Sequence, residues 1–399
     1  MPRPMPTLID RLARAAGYAP AVKAAPASAP PAGAPTIALY GDARAVWTPR
    51  DYAALAREGF QRNAVVHRAV RLVAEAAAAT PLTLNGADDA HPLLALLARP
   101  NPREGGQRFL EGLYGHLMVS GNAYVEAVSL DGVPRELFAL RPDRMRVVAD
   151  ADGWAAAYAY AVGGRTVRFA QEGPVPPILH LSLFNPVDDH YSLSPMEAAA
   201  VALDIHNAAG AWHKALLDNA ARPSGALVFA PASGAALSEA QFQRLKDELE
   251  TSYQGAGNAG RPLVLDGGLD WRPLALSPRE MDFVEAKSAA AREIALAFGV
   301  PPLLLGLPGD NTHANYAEAN RAFARQTVIP LVRRTADQIA RWLEPALGPV
   351  RLEPDLDAVE ALTGERASLW QRIGAAAFLT DAEKREAVGY APTIPASGA

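Results

Sequence analysis

Apolar positions recur at helical spacing in the first part of the chain, at alternating spacing in the next, and at helical spacing again after that. Thr48-Pro49-Arg50-Asp51 reads as a helix start, with Thr48 as the cap and Pro49 at the first helical position. Over 63–79, Val66, Val70, Val73 and Ala77 share one helical face, and Pro81 and Asn85-Gly86 end the run. Residues 91–97 predict a short apolar helix stopped by Pro100-Asn101-Pro102, and 109–119 predict another ending at Ser120-Gly121-Asn122. The period then changes to two. Segments 123–129, 136–140, 145–148, 154–162, 167–169 and 178–183 read as strands, with Asp131-Gly132, Asp152-Gly153 and Gly163-Gly164 as turn signals between them. An α+β region over 37–193 follows.

Two long helices come next, each with the same start. Ser194-Pro195-Met196-Glu197 and Ser277-Pro278-Arg279-Glu280 place Ser at the cap, Pro at the first position and Glu at the third, the pattern of a capping box. Ser194 and Glu197 open a helix over 195–219, and Ser277 and Glu280 open one over 278–298 that stops at Gly299-Val300-Pro301-Pro302. Between them lies a small α/β insert, with strands at 226–230, 263–265 and 269–274 and a helix over 238–253 that has its own Ser-x-x-Gln box. A polar loop, Gly309-Asp310-Asn311-Thr312-His313, precedes a helical run over 314–343 in which Pro330 predicts a kink. Two short helices fill 353–390, the second capped by Thr380-Asp381-Ala382-Glu383.

Composition narrows the function classes. The 399 residues are 50% hydrophobic and 20% charged, enough apolar surface for two or three cores, and the net charge of −5 gives no general basic footprint for gripping nucleic acid. Cysteine is absent, which excludes disulfides, thiolate metal sites and a cysteine nucleophile. No apolar run reaches the roughly 20 residues of a bilayer span, so no membrane partner is expected. Residues 1–36 are Ala- and Pro-rich and suit a disordered, semi-rigid arm.

Catalytic constellations are missing. His206 and His213 are seven apart, beyond the i, i+4 spacing of a helical metal pair, and the glycines at 255–260 lack the strand and Lys of a phosphate loop. Asp188-Asp189-His190 has metal-ligating residue types but reads as a solvated turn. The segment from Asp310 to His313 is the one polar loop at which an active site is conceivable, and no partner for it is evident. No cofactor is expected, and no active site can be assembled.

The order of short phrases carries more. Val119-Ser120-Gly121-Asn122-Ala123-Tyr124-Val125 precedes the strands; Ile178-Leu179-His180-Leu181 is followed by Leu193-Ser194-Pro195; Pro223-Ser224-Gly225 closes the first long helix. Leu265-Asp266-Gly267-Gly268-Leu269, Phe298-Gly299-Val300-Pro301-Pro302, the stretch from Thr327 to Pro330, and Leu379-Thr380-Asp381-Ala382-Glu383 complete the series. In this order the chain resembles the portal (head–tail connector) family of tailed bacteriophages over roughly 64–392. Its compact, Ala-rich form looks like portals of siphophage-type particles, prophages and gene transfer agents. It departs at Ser192 and Ala220, where the family often has Gly.

The resemblance implies a portal-type subunit. Its parts would be a wing (37–193), stem helices (194–220 and 277–299), a clip (221–276), a tunnel loop with a long kinked wing helix (300–345) and a crown with the C-terminal tail (346–399). It implies a homo-oligomeric ring, of twelve subunits in most members, at one capsid vertex of a virion or virus-like particle assembled in the bacterial cytoplasm. Double-stranded DNA would pass through it without sequence preference. Terminase large subunit, major capsid protein and head–tail adaptor would be its partners. Asp310, Asn311, Thr312, His313 and Asn315 would be the DNA-facing tunnel residues. Two rival readings are a head–tail or baseplate adaptor that never touches DNA, and a hydrolase using the loop at 310–313.

Overall fold

The computed structural model describes residues 47–85, 90–218, 225–229, 269–273, 283–308 and 313–390, with isolated positions between 238 and 247. The arm at 1–36 and the tail from Pro392 lie outside them. Helix α1 (Tyr52–Leu55) runs into a π turn (Ala56–Gln61) and is followed by α2 (Ala64–Ala79). Asp51, not Thr48, caps α1, accepting from the Ala54 amide at 2.9 Å. Thr48 is occupied elsewhere: its amide and hydroxyl both bind the Asp204 carboxylate, at 3.0 and 2.5 Å. Asn63 caps α2 by accepting from Val65 and Val66, and Val66, Val70, Val73 and Ala77 are buried on one face.

Strand β1 (Leu82–Asn85), helices α3 (Pro92–Ala98) and α4 (Gly106–Ser120), and six strands follow. These strands are β2 (Asn122–Leu130), β3 (Val133–Leu140), β4 (Met145–Ala149), β5 (Ala155–Val162), β6 (Arg165–Ala170) and β7 (Ile178–Ser182). They form two antiparallel three-stranded sheets, β3-β2-β7 and β4-β5-β6. The two-residue turns are left-handed at both central positions, φ 53° and 77° at Asp131-Gly132 and φ 56° and 76° at Gly163-Gly164. That geometry matches strand twist and requires such residues.

The second half begins with α5 (Pro195–Ala198) and α6 (Ala200–Asp218), parted by one turn residue, Ala199. Strands β8 (Gly225–Phe229) and β9 (Leu269–Pro273) pair antiparallel, so the two ends of the insert meet. Within it, Gln241 Oε1 accepts from the Ser238 amide at 2.9 Å and Ser238 Oγ from the Gln241 amide at 3.3 Å, the expected box. After α7 (Phe283–Ala297) and a 3-10 turn (Pro302–Leu305), α8 (His313–Phe323), a π turn (Ala324–Val328) and α9 (Ile329–Leu347) follow without a break. Strand β10 (Arg351–Pro354) pairs antiparallel with β1, and α10 (Thr363–Gly374) and α11 (Asp381–Ala387) close the described chain. Thr380 and Glu383 complete their capping box reciprocally.

One large core joins α2, α4 and α9 with the start of α6 and the second half of α7. Val73 and Val332 are fully buried there; each such side chain contributes roughly 1.5–3 kcal/mol. Tyr114 hydroxyl bonds Thr335 Oγ1 at 2.9 Å inside it, and burial pushes the phenol up to about 12. Trp342 Nε1 donates to the Pro176 carbonyl at 2.7 Å, tying α9 to the segment before β7. A second core of Tyr124, Leu140, Met145, Tyr158 and Ile178 lies under the β4-β5-β6 sheet. Among the described residues no helix is long and apolar enough to cross a membrane.

Candidate ring and channel surfaces

Helices α6 and α7 run along one another, and their contact is built from small residues. Ala202, Ala209, Ala290, Ala291 and Ala295 are buried with Leu203 and Ile294, and Gly210 lies beside Lys287. Small side chains bring the helix axes close, but they leave the bulkier apolar ones outside. Val201 and Ile205, one turn apart on α6, are 47% and 40% exposed, and Val284 and Leu296 on α7 are 72% and 79% exposed. Ala208 continues the α6 stripe. Val201, Ile205 and Ala208 thus form an exposed apolar stripe on α6, while Val284 and Leu296 stand on different faces of α7.

Polar contacts lock this helix pair to the α+β region. Asn63 Nδ2 donates to Asn207 Oδ1 at 2.9 Å, and Asn207 Nδ2 donates to the Glu58 carbonyl at 2.9 Å. With Thr48 on Asp204, these bonds fix both the rotation and the height of α6. His206, 3.0 Å from Asn63 Nδ2, is held below the usual imidazole range by burial and then by the positive charge of Lys287. At the head of the pair, Ser194 Oγ accepts from the Glu197 amide at 2.9 Å. Only this half of the box forms; Arg50 instead donates to the Glu197 carbonyl at 2.7 Å.

The far end of α7 is tied to the π turn. Gly299 has φ +64°, and a Cβ there would lie 2.7 Å from Thr327 Oγ1, so only glycine fits. Thr327 Oγ1 donates to the Gly299 carbonyl at 2.6 Å. Pro330 lies two residues past the π turn; it offers no N–H to the Gln326 carbonyl and crowds it, and widening the helix there absorbs both effects. Arg292 of α7 donates to the Pro308 carbonyl at 2.8 Å, anchoring the residue before the polar loop. Both flanks of that loop are therefore held by α7 and α8.

Asp310, Asn311 and Thr312 lie outside the described residues, as do Ser277 and Glu280. His313 opens α8, and Asn315 is exposed in its first turn. Asp188 caps its own loop, accepting from the His190 and Tyr191 amides at 2.8 Å each, and these bonds hold its carboxyl below the usual range. Among the described residues no group of three or more His, Asp or Glu is placed to hold a metal ion. Sequence reasoning missed Asp204, Arg292 and Thr327. Their partners are 156, 16 and 28 residues away, and only Gly299, directly after a helix, hinted at a close approach.

The phage portal protein family matches residues 64–389, and the chain belongs to that family. Among solved structures it is similar to a chain in the neck of a native gene transfer agent particle computed with C12 symmetry. That similarity is 56% sequence identity at a TM-score of 0.66, over 88% of this chain and 96% of that one. An uncharacterized protein of Rickettsia bellii is 39% identical over 83% of this chain and 88% of its own length. The portal protein of Enterobacteria phage HK97 is 25% identical over 82% of this chain and 78% of its own.

Proposed function

We propose that twelve copies form a ring at one capsid vertex of a gene transfer agent-type particle, the conduit through which DNA is packaged and later released. The observation that carries this is the 56% identity to a neck chain solved with twelvefold symmetry. The exposed stripe of α6, with Val284 and Leu296 on α7, supplies apolar surface that neighbouring copies would bury. On this reading 37–193 and 300–345 are the wing, 194–220 and 277–299 the stem, 221–276 the clip, and 346–399 the crown. The role is structural: the ring positions DNA and partner proteins and performs no bond chemistry. Twelve copies at −5 each carry about −60, and an acidic channel wall would repel phosphate and let the duplex slide. The clip takes the contacts to terminase large subunit during packaging and to the head–tail adaptor afterwards, while the wing faces the major capsid protein.

The clip assignment has a clean test, because β8 pairs with β9 and the insert's two ends lie side by side. Replacing 230–262 by a short Gly/Ser linker is expected to keep the subunit folded, with an unchanged thermal midpoint of the main transition. Nuclease-protected DNA per particle and tail joining are expected to fall to background. Filled, tailed particles from that variant would contradict the assignment.

A further inference from the structure

The β4-β5-β6 sheet has two unlike faces, because side chains alternate along each strand. On one face Val147 and Tyr158 open onto a groove of about 860 Å³. Its walls carry Trp154 and Phe184, 76% and 78% exposed, together with Asp152, Asp188 and Asp189; Arg334 also lines it. Among the described residues the Asp152 and Asp189 carboxylates have no hydrogen-bond or ion-pair partner. On the other face the register sets Arg146 opposite Ala159 and Ala159 opposite Arg168, one straight row across three strands. Both arginines are exposed, and among the described residues neither has an ion-pair partner. Two strand spacings separate them by about 10 Å, over a flat surface of Ala159 and Thr166.

Acidic loop residues rim the groove on one side of the sheet, with Arg334 and His190 also in its lining, and an arginine row crosses the other side; a head-to-tail contact between identical chains can use two such unlike patches. A heterologous contact pairs two different patches of the same chain and closes into a ring when the rotation allows. We infer that the Arg146/Arg168 face of one copy seats on the Asp152/Asp189 groove of the next, so that wing sheets join the ring alongside the stem helices. A guanidinium suits both walls of the groove: it bonds carboxylates through its N–H groups and stacks on Trp or Phe rings. A second copy is the favoured occupant because both complementary patches belong to this chain. The inference rests on the ring reading of the preceding section.

Charge reversal tests it. Arg146→Glu with Arg168→Glu, and separately Asp152→Arg with Asp189→Arg, change exposed side chains that cap no turn. Each double variant is expected to lower the ring fraction seen by native mass spectrometry at least about tenfold, because like charges then face each other. The quadruple variant, with charges exchanged, is expected to restore rings. Circular dichroism and the thermal midpoint of the monomer are expected to stay as in the parent chain. Rings at parental level in both double variants, or no recovery in the quadruple variant, would overturn the inference. So would normal rings that fail to enter particles, which would assign the faces to another partner. If the parent chain forms no ring, the ring reading itself falls, and the inference with it.

Discussion

Particles built with Asn311→Trp or His313→Trp subunits are expected to have capsids of normal shape and to hold little or no DNA. Residues 309–315 join two held flanks, with Arg292 fixing the Pro308 carbonyl on one side and α8 beginning at His313 on the other. Asp310, Asn311, Thr312 and Asn315 are small and polar, suited to bonding phosphates weakly and releasing them. On the proposal that this segment is the tunnel loop, indole bulk repeated in every copy would narrow the channel at this level alone, so that ring formation is retained while passage is lost. Protected DNA per particle, compared with capsid protein, is the readout. Full-length DNA at the parental rate in both variants would show that the constriction lies elsewhere.

Lowering the pH from 6.5 towards 4 is expected to remove a large part of the subunit's stability. Burial lowers the pKa of His116 and of His180 to about 4, and neutral imidazole is packed in both places. His116 lies 3.2 Å from the Tyr52 hydroxyl, where Asp143 raises and Arg141 lowers its affinity for a proton. His180 is stacked on Tyr124 with its Nε2 2.8 Å from Asn122 Oδ1. The unfolded chain takes up these protons near 6.5 and the folded chain only near 4. Their contribution is therefore intact above pH 6.5 and is lost as pH falls through that window. Each group accounts for about 3 kcal/mol, from a difference of about 2.5 pKa units at 1.36 kcal/mol per unit. Asp188, Asp357 and Glu383, whose carboxyls are held low, act at lower pH. Denaturant midpoints between pH 7.5 and 4.5 give the slope, and His116→Gln with His180→Gln is expected to flatten it. A parent chain equally stable at both ends would contradict the account.

Much of the fold was legible because its signals are local. Asp131-Gly132 and Gly163-Gly164 mark turns that only left-handed residues make, so the β2-β3 and β5-β6 hairpins could be placed, although β3 begins at Val133 and β6 at Arg165, ahead of the expected 136 and 167. The spacing of Val66, Val70, Val73 and Ala77 gave the buried face of α2 directly. The failures are all non-local. Strand β1 is four residues between Pro81 and a turn signal, and its partner β10 lies nearly 270 residues later, so neither has a pattern of its own. Thr48 has the residue type of a helix cap, yet Asp204 claims it from another element. The π turn at 324–328 depends on Pro330 together with the Gly299–Thr327 contact, and only the proline is visible in a local reading. The groove and the arginine row are likewise assembled from distant segments, and no motif announces either.

Ring formation is read straight from the mass of the purified chain in solution. Native mass spectrometry across several buffers and micromolar concentrations is predicted to show a closed species of twelve chains. Negative-stain images of the same sample are predicted to show a central hole wide enough for a DNA duplex. Monomer alone in every condition, or a compact oligomer without a hole, would contradict the account.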